Sequence, residues 1–101
     1  MIMKKLILAA LFLPTLAIAE DTDFEICQSI SNYAEVVMKS RQLGLDMAKT
    51  YEPVKDDPLM SGIVRDAYSS PQYTGDDFQK RRIASFKSDW FLTCINARKA
   101  K

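Results

Sequence analysis

The sequence of 101 residues contains no histidine, two cysteines and three glycines. Without histidine, neither histidine-activated nucleophilic catalysis nor an imidazole metal ligand is possible. Three glycines do not supply a glycine-rich phosphate loop. The acidic pairs Asp56-Asp57 and Asp76-Asp77 lack the glycine and alternating oxygen ligands of a calcium loop, so we expect them to cap helices. The sequence therefore predicts no enzyme, no metal site and no cofactor.

The N-terminus has the three parts of a secretory signal peptide. Lys4 and Lys5 form a basic region, Leu6 to Ala19 is an uncharged apolar run, and Ala17-Ile18-Ala19 is a small-x-small cleavage site. The run is shorter than the roughly 20 residues that a spanning helix needs. We expect cleavage after Ala19 and one helical domain at 20–101, in the periplasm or the medium. A retained N-terminal anchor is the alternative.

Two cysteines, Cys27 and Cys94, lie near the two ends of this expected domain. In an exported protein they permit one intramolecular disulfide. Closing so long a loop contributes about 4 kcal/mol of stability in the chain-entropy model. A redox or zinc role would need closely spaced cysteines or histidine partners, so we predict a structural Cys27–Cys94 bridge.

Charge is segregated along the chain. Residues 20–101 carry 12 basic and 13 acidic side chains, which gives no electrostatic reason to expect nucleic acid or an anionic membrane as partner. Residues 20–57 have a net charge of −5, whereas 79–101 have +6. We expect the two terminal helices to pack side by side; a basic docking strip on the last helix is the alternative.

Hydrophobic periodicity predicts an all-α fold of about four helices, at about 24–43, 46–52, 58–69 and 76–98. Asp23, Asp46 and Asp57 are the expected N-caps of the first three, and Pro53 is expected to end the second. Gly62, inside the third helix, suggests a close helix contact. The buried stripes are expected to be the following: Cys27, Ile30, Ala34, Val37 and Met38; Met60, Ile63, Val64, Ala67 and Tyr68; Phe78, Arg82, Ile83, Phe86, Trp90, Phe91, Cys94 and Ile95.

If Cys27 and Cys94 are bonded, the first and last helices must run antiparallel to remain in contact. The acidic first helix then lies along the basic last helix. Tyr68, Tyr73 and Trp90 could line a ligand groove, but aromatic residues at helical spacing in so small a domain are more often core.

The stretch SRQLGLDM, residues 40–47, places Arg41 and Gly44 in line with the apolar stripe of the first helix. We expect the helix to break at Gly44 in the left-handed conformation, so that Leu45 turns inward. A first helix that continues through Gly44 is the alternative. Arg41 then lies in the last turn. Its guanidinium either rests on carbonyls or on a carboxylate such as Asp66 or Asp89, or contacts a partner.

Exposed arginines are the candidates for partner binding: Arg41, Arg65, Arg81 and Arg82. Arg81 and Arg82 belong to the basic cluster QKRR. The competing interpretation is a solvated face, or an intramolecular partner for the acidic helix.

Three segments, CQSISNYAEVVMKSRQLGLDM, IVRDAY with a proline three residues on, and IASFKSDWFLTC, carry a recurring pattern. The chain resembles a type of small exported two-cysteine helical protein of Gram-negative bacteria and their phages. That type has an A-x-x-x-M-x-x-R-Q-x-G signature, an A-Y pair before a proline turn, and a final helix with F, an aromatic residue and C. The resemblance implies export, helices and a disulfide; the type has no established activity.

Two functions remain open from the sequence. The first is an exported protein that acts by protein binding, as an inhibitor, regulator or immunity-type protein of the periplasm. The second is a periplasmic stress or chaperone-like protein that exposes apolar surface when conditions change. Without histidine, a pH response would depend on carboxylates.

Overall fold

The computed structural model describes the backbone of residues 2–99 and the side chains of residues 22–99. Its elements are α1 (Ile2–Gln42), α2 (Met47–Tyr51), a 3-10 turn (Glu52–Val54), α3 (Pro58–Tyr68) and α4 (Asp76–Lys99). The described part is helical without strands, as predicted. The predicted signal peptide at 1–19, with its cleavage after Ala19, lies outside the described side chains. No helix among the described residues has the length and apolar character needed to cross a bilayer.

The first helix begins at Ile2 rather than near residue 24, so the prediction that Asp23 caps it is wrong. No glycine or proline stands between Thr15 and Gln42, and nothing in that stretch forces the helix to start anew. The Asp23 carboxylate instead accepts a charge-assisted hydrogen bond from Arg98 Nε at 2.6 Å.

The disulfide between Cys27 and Cys94 joins α1 to α4, with the two Cα atoms 5.5 Å apart. Two ion pairs define the same antiparallel register: Asp23 with Arg98, and Glu35 with Lys87, whose Nζ lies 3.1 Å from the carboxylate. The predicted pairing of an acidic first helix with a basic last helix is therefore confirmed. Phe24 and Phe91 add an edge-to-face contact beside the bridge, at 5.8 Å between ring centroids.

A core of seven fully buried apolar residues lies where α1, α3 and α4 meet. Val37 and Met38 from α1, Ile63 and Val64 from α3, and Phe86 from α4 contribute its largest side chains, each worth about 1.5–3 kcal/mol on burial. Ala34 and Ala67 complete it, and their small size suits close approach of the helices. Most of the predicted stripes on α1 and α3 are thus confirmed.

Local signals fix the ends of α2 and α3. The Asp57 carboxylate accepts hydrogen bonds from the backbone N–H groups of Leu59 and Met60, both at 3.0 Å, and Pro58 occupies the first turn. Asp46 stands at the N-cap position of α2, but its side chain makes no capping bond. The α-helix ends at Tyr51, but Glu52 keeps helical backbone angles and the chain continues through Pro53 as the 3-10 turn. The prediction that Pro53 ends the second helix is therefore wrong: the proline tolerates the first turn of a 3-10 helix, where no N–H donor is needed.

Gly44 ends α1 in the left-handed conformation, with φ +81°. The Leu45 N–H donates to Ser40 O and the Gly44 N–H donates to Arg41 O, each at 3.0 Å, which is the Schellman pattern. The predicted break is confirmed, but the prediction that Leu45 turns inward is wrong, because its side chain is 52% exposed. Leu43, at 74%, and Met47, at 37%, are exposed beside it.

The two glycines Gly44 and Gly62 are expected to respond in opposite ways to alanine. A Cβ at Gly44 would sit at positive φ and 3.1 Å from Gln72 Nε2, so Gly44→Ala should lower the free energy of unfolding by about 1–2 kcal/mol. A Cβ at Gly62 meets only Arg65 Nη2, at an ordinary 3.7 Å, so the close helix contact suggested by sequence is absent. Gly62→Ala should raise stability by up to about 1 kcal/mol. Denaturant midpoints of both variants test this, and a destabilised Gly62→Ala would contradict it.

Burial raises the pKa of the Tyr33 phenol above its ordinary 10.0, and the negative charge of Asp57 raises it further. Because the pKa is higher in the folded than in the unfolded protein, the associated stability is fully present below pH 10 and is lost as pH rises above it. Tyr33→Phe should therefore lose less stability than the wild type above pH 10. Denaturant titrations across that range measure the difference, and parallel curves for the two proteins would contradict it.

Candidate functional site

The loop between α3 and α4, residues 69–75, is fastened to the end of α1 by Gln42. Gln42 is 3% exposed, its Nε2 donates to Pro71 O at 3.0 Å, and its Oε1 accepts from the Tyr73 N–H at 2.8 Å. Gln72 Nε2 returns a hydrogen bond to Gln42 O at 3.1 Å. The loop backbone has no hydrogen-bond partners of the kind that a helix supplies, and the buried Gln42 side chain bonds two of its backbone groups instead.

Arg41 and Arg82 approach the same loop residue from different helices. Arg41 Nε donates to Ser70 O at 2.9 Å, and Arg82 Nη2 donates to Ser70 Oγ at 2.8 Å. Each guanidinium also lies over a ring, Arg41 over Tyr68 at 5.5 Å from its centroid and Arg82 over Phe86 at 5.4 Å. Both arginines therefore hold the loop in place.

Of the interpretations open for Arg41, the structure shows contact with a carbonyl rather than with Asp66 or Asp89. Asp66 instead accepts a hydrogen bond from Trp90 Nε1 at 3.0 Å. Arg41 is half-buried, and its Nε is used inside the fold. That nitrogen is therefore engaged with the loop rather than open to a partner.

Arg81 differs from both. It is exposed, and its guanidinium lies 4.9 Å from the centroid of the Phe78 ring. Within the described part of the chain it makes no hydrogen bond or ion pair. The prediction that Phe78 belongs to the buried stripe is wrong, since the side chain is 59% exposed.

The helix register explains why Phe78 is uncovered. Asp23 lies opposite Arg98 and Glu35 opposite Lys87, so the last residue of α1, Gln42, falls near residues 79 and 80. The first turn of α4 therefore extends past the end of α1. No α1 residue remains to cover Phe78.

A shallow, open depression of about 450 Å³ lies at this end of the molecule, and we refer to it as the arginine depression. Its lining consists of two rings, two guanidinium groups and one hydroxyl: Tyr73, Phe78, Arg81, Arg82 and Ser85. Gln79 Nε2 orders the Tyr73 backbone by donating to its carbonyl at 2.7 Å. Among the described side chains, no carboxylate lies within 4.0 Å of either arginine. The depression can therefore accept an anionic group from outside.

The four arginines predicted as partner contacts do not form one cluster. Arg41, Arg81 and Arg82 lie around the 69–75 loop and the start of α4, whereas Arg65 is exposed on α3 and lines neither depression. The intramolecular partners of the acidic helix turn out to be Lys87 and Arg98 rather than the QKRR cluster.

A second groove, of about 230 Å³ and mainly apolar, lies beside the disulfide, with Ile30, Leu59 and Trp90 on its walls. Tyr73 lines the arginine depression instead, so the aromatic residues considered from sequence do not form one groove. Among the described side chains, no group of three acidic or cysteine residues is placed to hold a metal ion.

The residues of the A-x-x-x-M-x-x-R-Q-x-G pattern all have structural roles in this fold. Ala34 and Met38 are core residues, Arg41 and Gln42 fasten the loop, and Gly44 ends the helix. The signature therefore specifies packing rather than chemistry. The Phe78–Arg81 pair lies outside it; only the i,i+3 spacing of ring and cation could have indicated this contact beforehand.

No protein-family model matches this chain, and no curated protein or solved structure is significantly similar to it.

Gln42 is expected to be the main fastening of the loop. Gln42→Ala leaves the Tyr73 N–H and the Pro71 carbonyl without their partner, which should cost about 1–3 kcal/mol of unfolding free energy. The Tyr73 amide should also lose protection in hydrogen exchange. Gln28→Ala, at an exposed position of the same helix, is the matched control and should change neither quantity. Unaltered protection at Tyr73 in Gln42→Ala would contradict the assignment.

Proposed function

We propose that this protein is an exported helical protein that acts by binding another protein, as an inhibitor, regulator or immunity-type protein, through the arginine depression. One observation carries the proposal: Phe78 and Arg81 are exposed together, and in the described part of the chain neither makes a side-chain hydrogen bond, ion pair or ring contact except with the other. Aromatic residues and arginine are the residue types that dominate binding energy at protein interfaces. The proposal involves no catalytic step and no cofactor.

The surroundings of the pair favour an interface over a solvated turn. Tyr73 and Arg82, which border it, are held by backbone and side-chain hydrogen bonds to Gln42, Gln79 and Ser70. A surface fixed in this way loses little conformational entropy on binding. Surface charge that is merely solvated needs no such support.

The disulfide supports an oxidising, non-cytoplasmic compartment, because such bonds are rare in a reducing cytosol. We further propose the periplasm, from the signal-peptide pattern at 1–19, with release to the medium as the alternative. Membership of the exported two-cysteine type that the sequence resembles is part of the same proposal.

A second candidate, a stress or chaperone-like protein, is favoured by a different observation. Leu43, Leu45 and Met47 are exposed together where α1 meets α2, and no residue of α2 is buried. Such a corner could hold unfolded chains by apolar contact. Dye binding and circular dichroism between pH 2 and 7 separate the candidates, because the chaperone-like function requires a conformational change that increases exposed apolar surface.

Partner capture tests the leading proposal. The oxidised protein, tagged at its C-terminus, is used as bait in an envelope extract of the bacterium that produces it, and a recovered partner is quantified by mass spectrometry. Phe78→Ser combined with Arg81→Glu should reduce recovery about tenfold or more, because replacing such interface residues typically costs about 2 kcal/mol or more.

Arg65→Glu supplies the matched control, since it makes the same charge change at an exposed arginine outside the depression. It should retain wild-type recovery. Equal recovery with both variants, or no stoichiometric partner for the wild type, would contradict the proposal. Circular dichroism of each bait verifies that the helices remain folded.

A further inference from the structure

The arginine depression contains two arginines, Arg81 and Arg82, that form no ion pair with a described carboxylate. Asp23 and Glu35, the carboxylates of α1 that face α4, are occupied by Arg98 and Lys87. Arg81 and Arg82 have no carboxylate within 4.0 Å in the described part of the chain. An anionic group from outside the protein can therefore pair with them.

Arg81 and Arg82 differ in how many of their hydrogen-bond donors are already used inside the protein. Each of the three guanidinium nitrogens of Arg82 already donates, two to Ser70 Oγ and one to Ser85 Oγ at 3.2 Å. Arg81 makes no such bond, and the Phe78 ring supports its guanidinium from one face. Arg81 can therefore present its full donor fork to a carboxylate, with Arg82 contributing a fixed second charge.

The other residues in and beside the depression determine which kind of anion binds best. Tyr73 and Phe78 offer apolar contact beside the charges, which suits the side chains of a peptide. Asp76 and Asp77, both exposed in the first turn of the same helix, add negative charge beside the site, which disfavours an extended polyanion or an anionic bilayer more than a single carboxylate. The depression is also too shallow and open to enclose a small molecule.

From these contacts we infer that the arginine depression binds an acidic segment of a partner protein, with a glutamate or aspartate carboxylate paired to Arg81 and an apolar neighbour against Phe78 and Tyr73. The inference rests on the proposed function, whose partner class it names. It depends on Arg81 for the ion pair and on Arg82 for position and charge.

A peptide titration of the oxidised protein, expressed from its full coding sequence and labelled with ¹⁵N, tests the inference. The probe is the capped pentapeptide Gly-Glu-Leu-Glu-Gly, and its control has glutamine in place of both glutamates. The acidic peptide should shift the Nε–H signal of Arg81 and the amide signals of Phe78 and Tyr73 in a saturable way. The glutamine peptide should shift them little.

Three variants make the result specific. Arg81→Gln should weaken binding about three- to fivefold, as expected for loss of one exposed ion pair. Arg81→Lys should retain part of the affinity, because lysine keeps the charge but loses the fork. Arg65→Gln should bind as the wild type does.

Separate titrations with inorganic phosphate and with vesicles containing anionic lipid distinguish other sources of negative charge. The inference is overturned if either shifts the same signals at lower concentration than the acidic peptide, if the glutamine peptide binds equally well, or if no peptide binds.

Competition between the acidic peptide and a captured partner distinguishes failure of this inference from failure of the proposed function. A partner that depends on Arg81 but is not displaced by the acidic peptide would overturn the acidic-segment inference and leave protein binding intact. Peptide binding without any captured partner would contradict the proposed protein binding, and the depression would then be shown only to bind a carboxylate.

Discussion

The antiparallel register of the first and last helices, fixed by the bond between Cys27 and Cys94, is the constraint on which the other features depend. Closing a loop of 67 residues restricts the unfolded chain and contributes about 4 kcal/mol in the chain-entropy model. The same register brings Asp23 to Arg98 and Glu35 to Lys87. Exposed pairs of this kind add little stability on their own, so they reinforce a register that the bridge and the core already set.

That register also determines which end of the molecule has an uncovered helical turn and a loop that needs hydrogen-bond partners. Since α1 ends at Gln42, it leaves the first turn of α4 uncovered and brings its own last residues against the 69–75 loop. Gln42 then satisfies backbone groups that no helix or strand can reach. The end of the bundle therefore combines a loop held by hydrogen bonds with the exposed guanidinium of Arg81.

Local structure was predictable where a few neighbouring residues decide it. Asp57 before Pro58 specifies a helix start through side-chain capping, and Gly44 specifies a helix end through a φ that other residues avoid. The prediction for Asp23 was wrong because a capping residue acts only where the helix actually begins. Gly62 was misjudged since a glycine in a helix does not show by itself whether a neighbour is close. For Phe78, periodicity gave the correct face of α4 but not the length of α1 available to cover it.

By itself, the sequence determined the helical class, the single possible disulfide, the antiparallel pairing of the terminal helices and the break at Gly44. The helical class and the break at Gly44 follow from periodicity and backbone preference, which act over a few neighbouring residues. The disulfide and the antiparallel pairing follow from the cysteine count, because two cysteines allow one intramolecular bond. Only the tertiary structure decided which arginines are used inside the fold and which remain available. Arg41, Arg81 and Arg82 have the same chemistry in the sequence. They differ because Arg41 faces a loop carbonyl, Arg82 a loop hydroxyl and Arg81 only an exposed ring of its own helix. The loop partners of Arg41 and Arg82 lie 29 and 12 residues away along the chain, so local sequence does not reveal them.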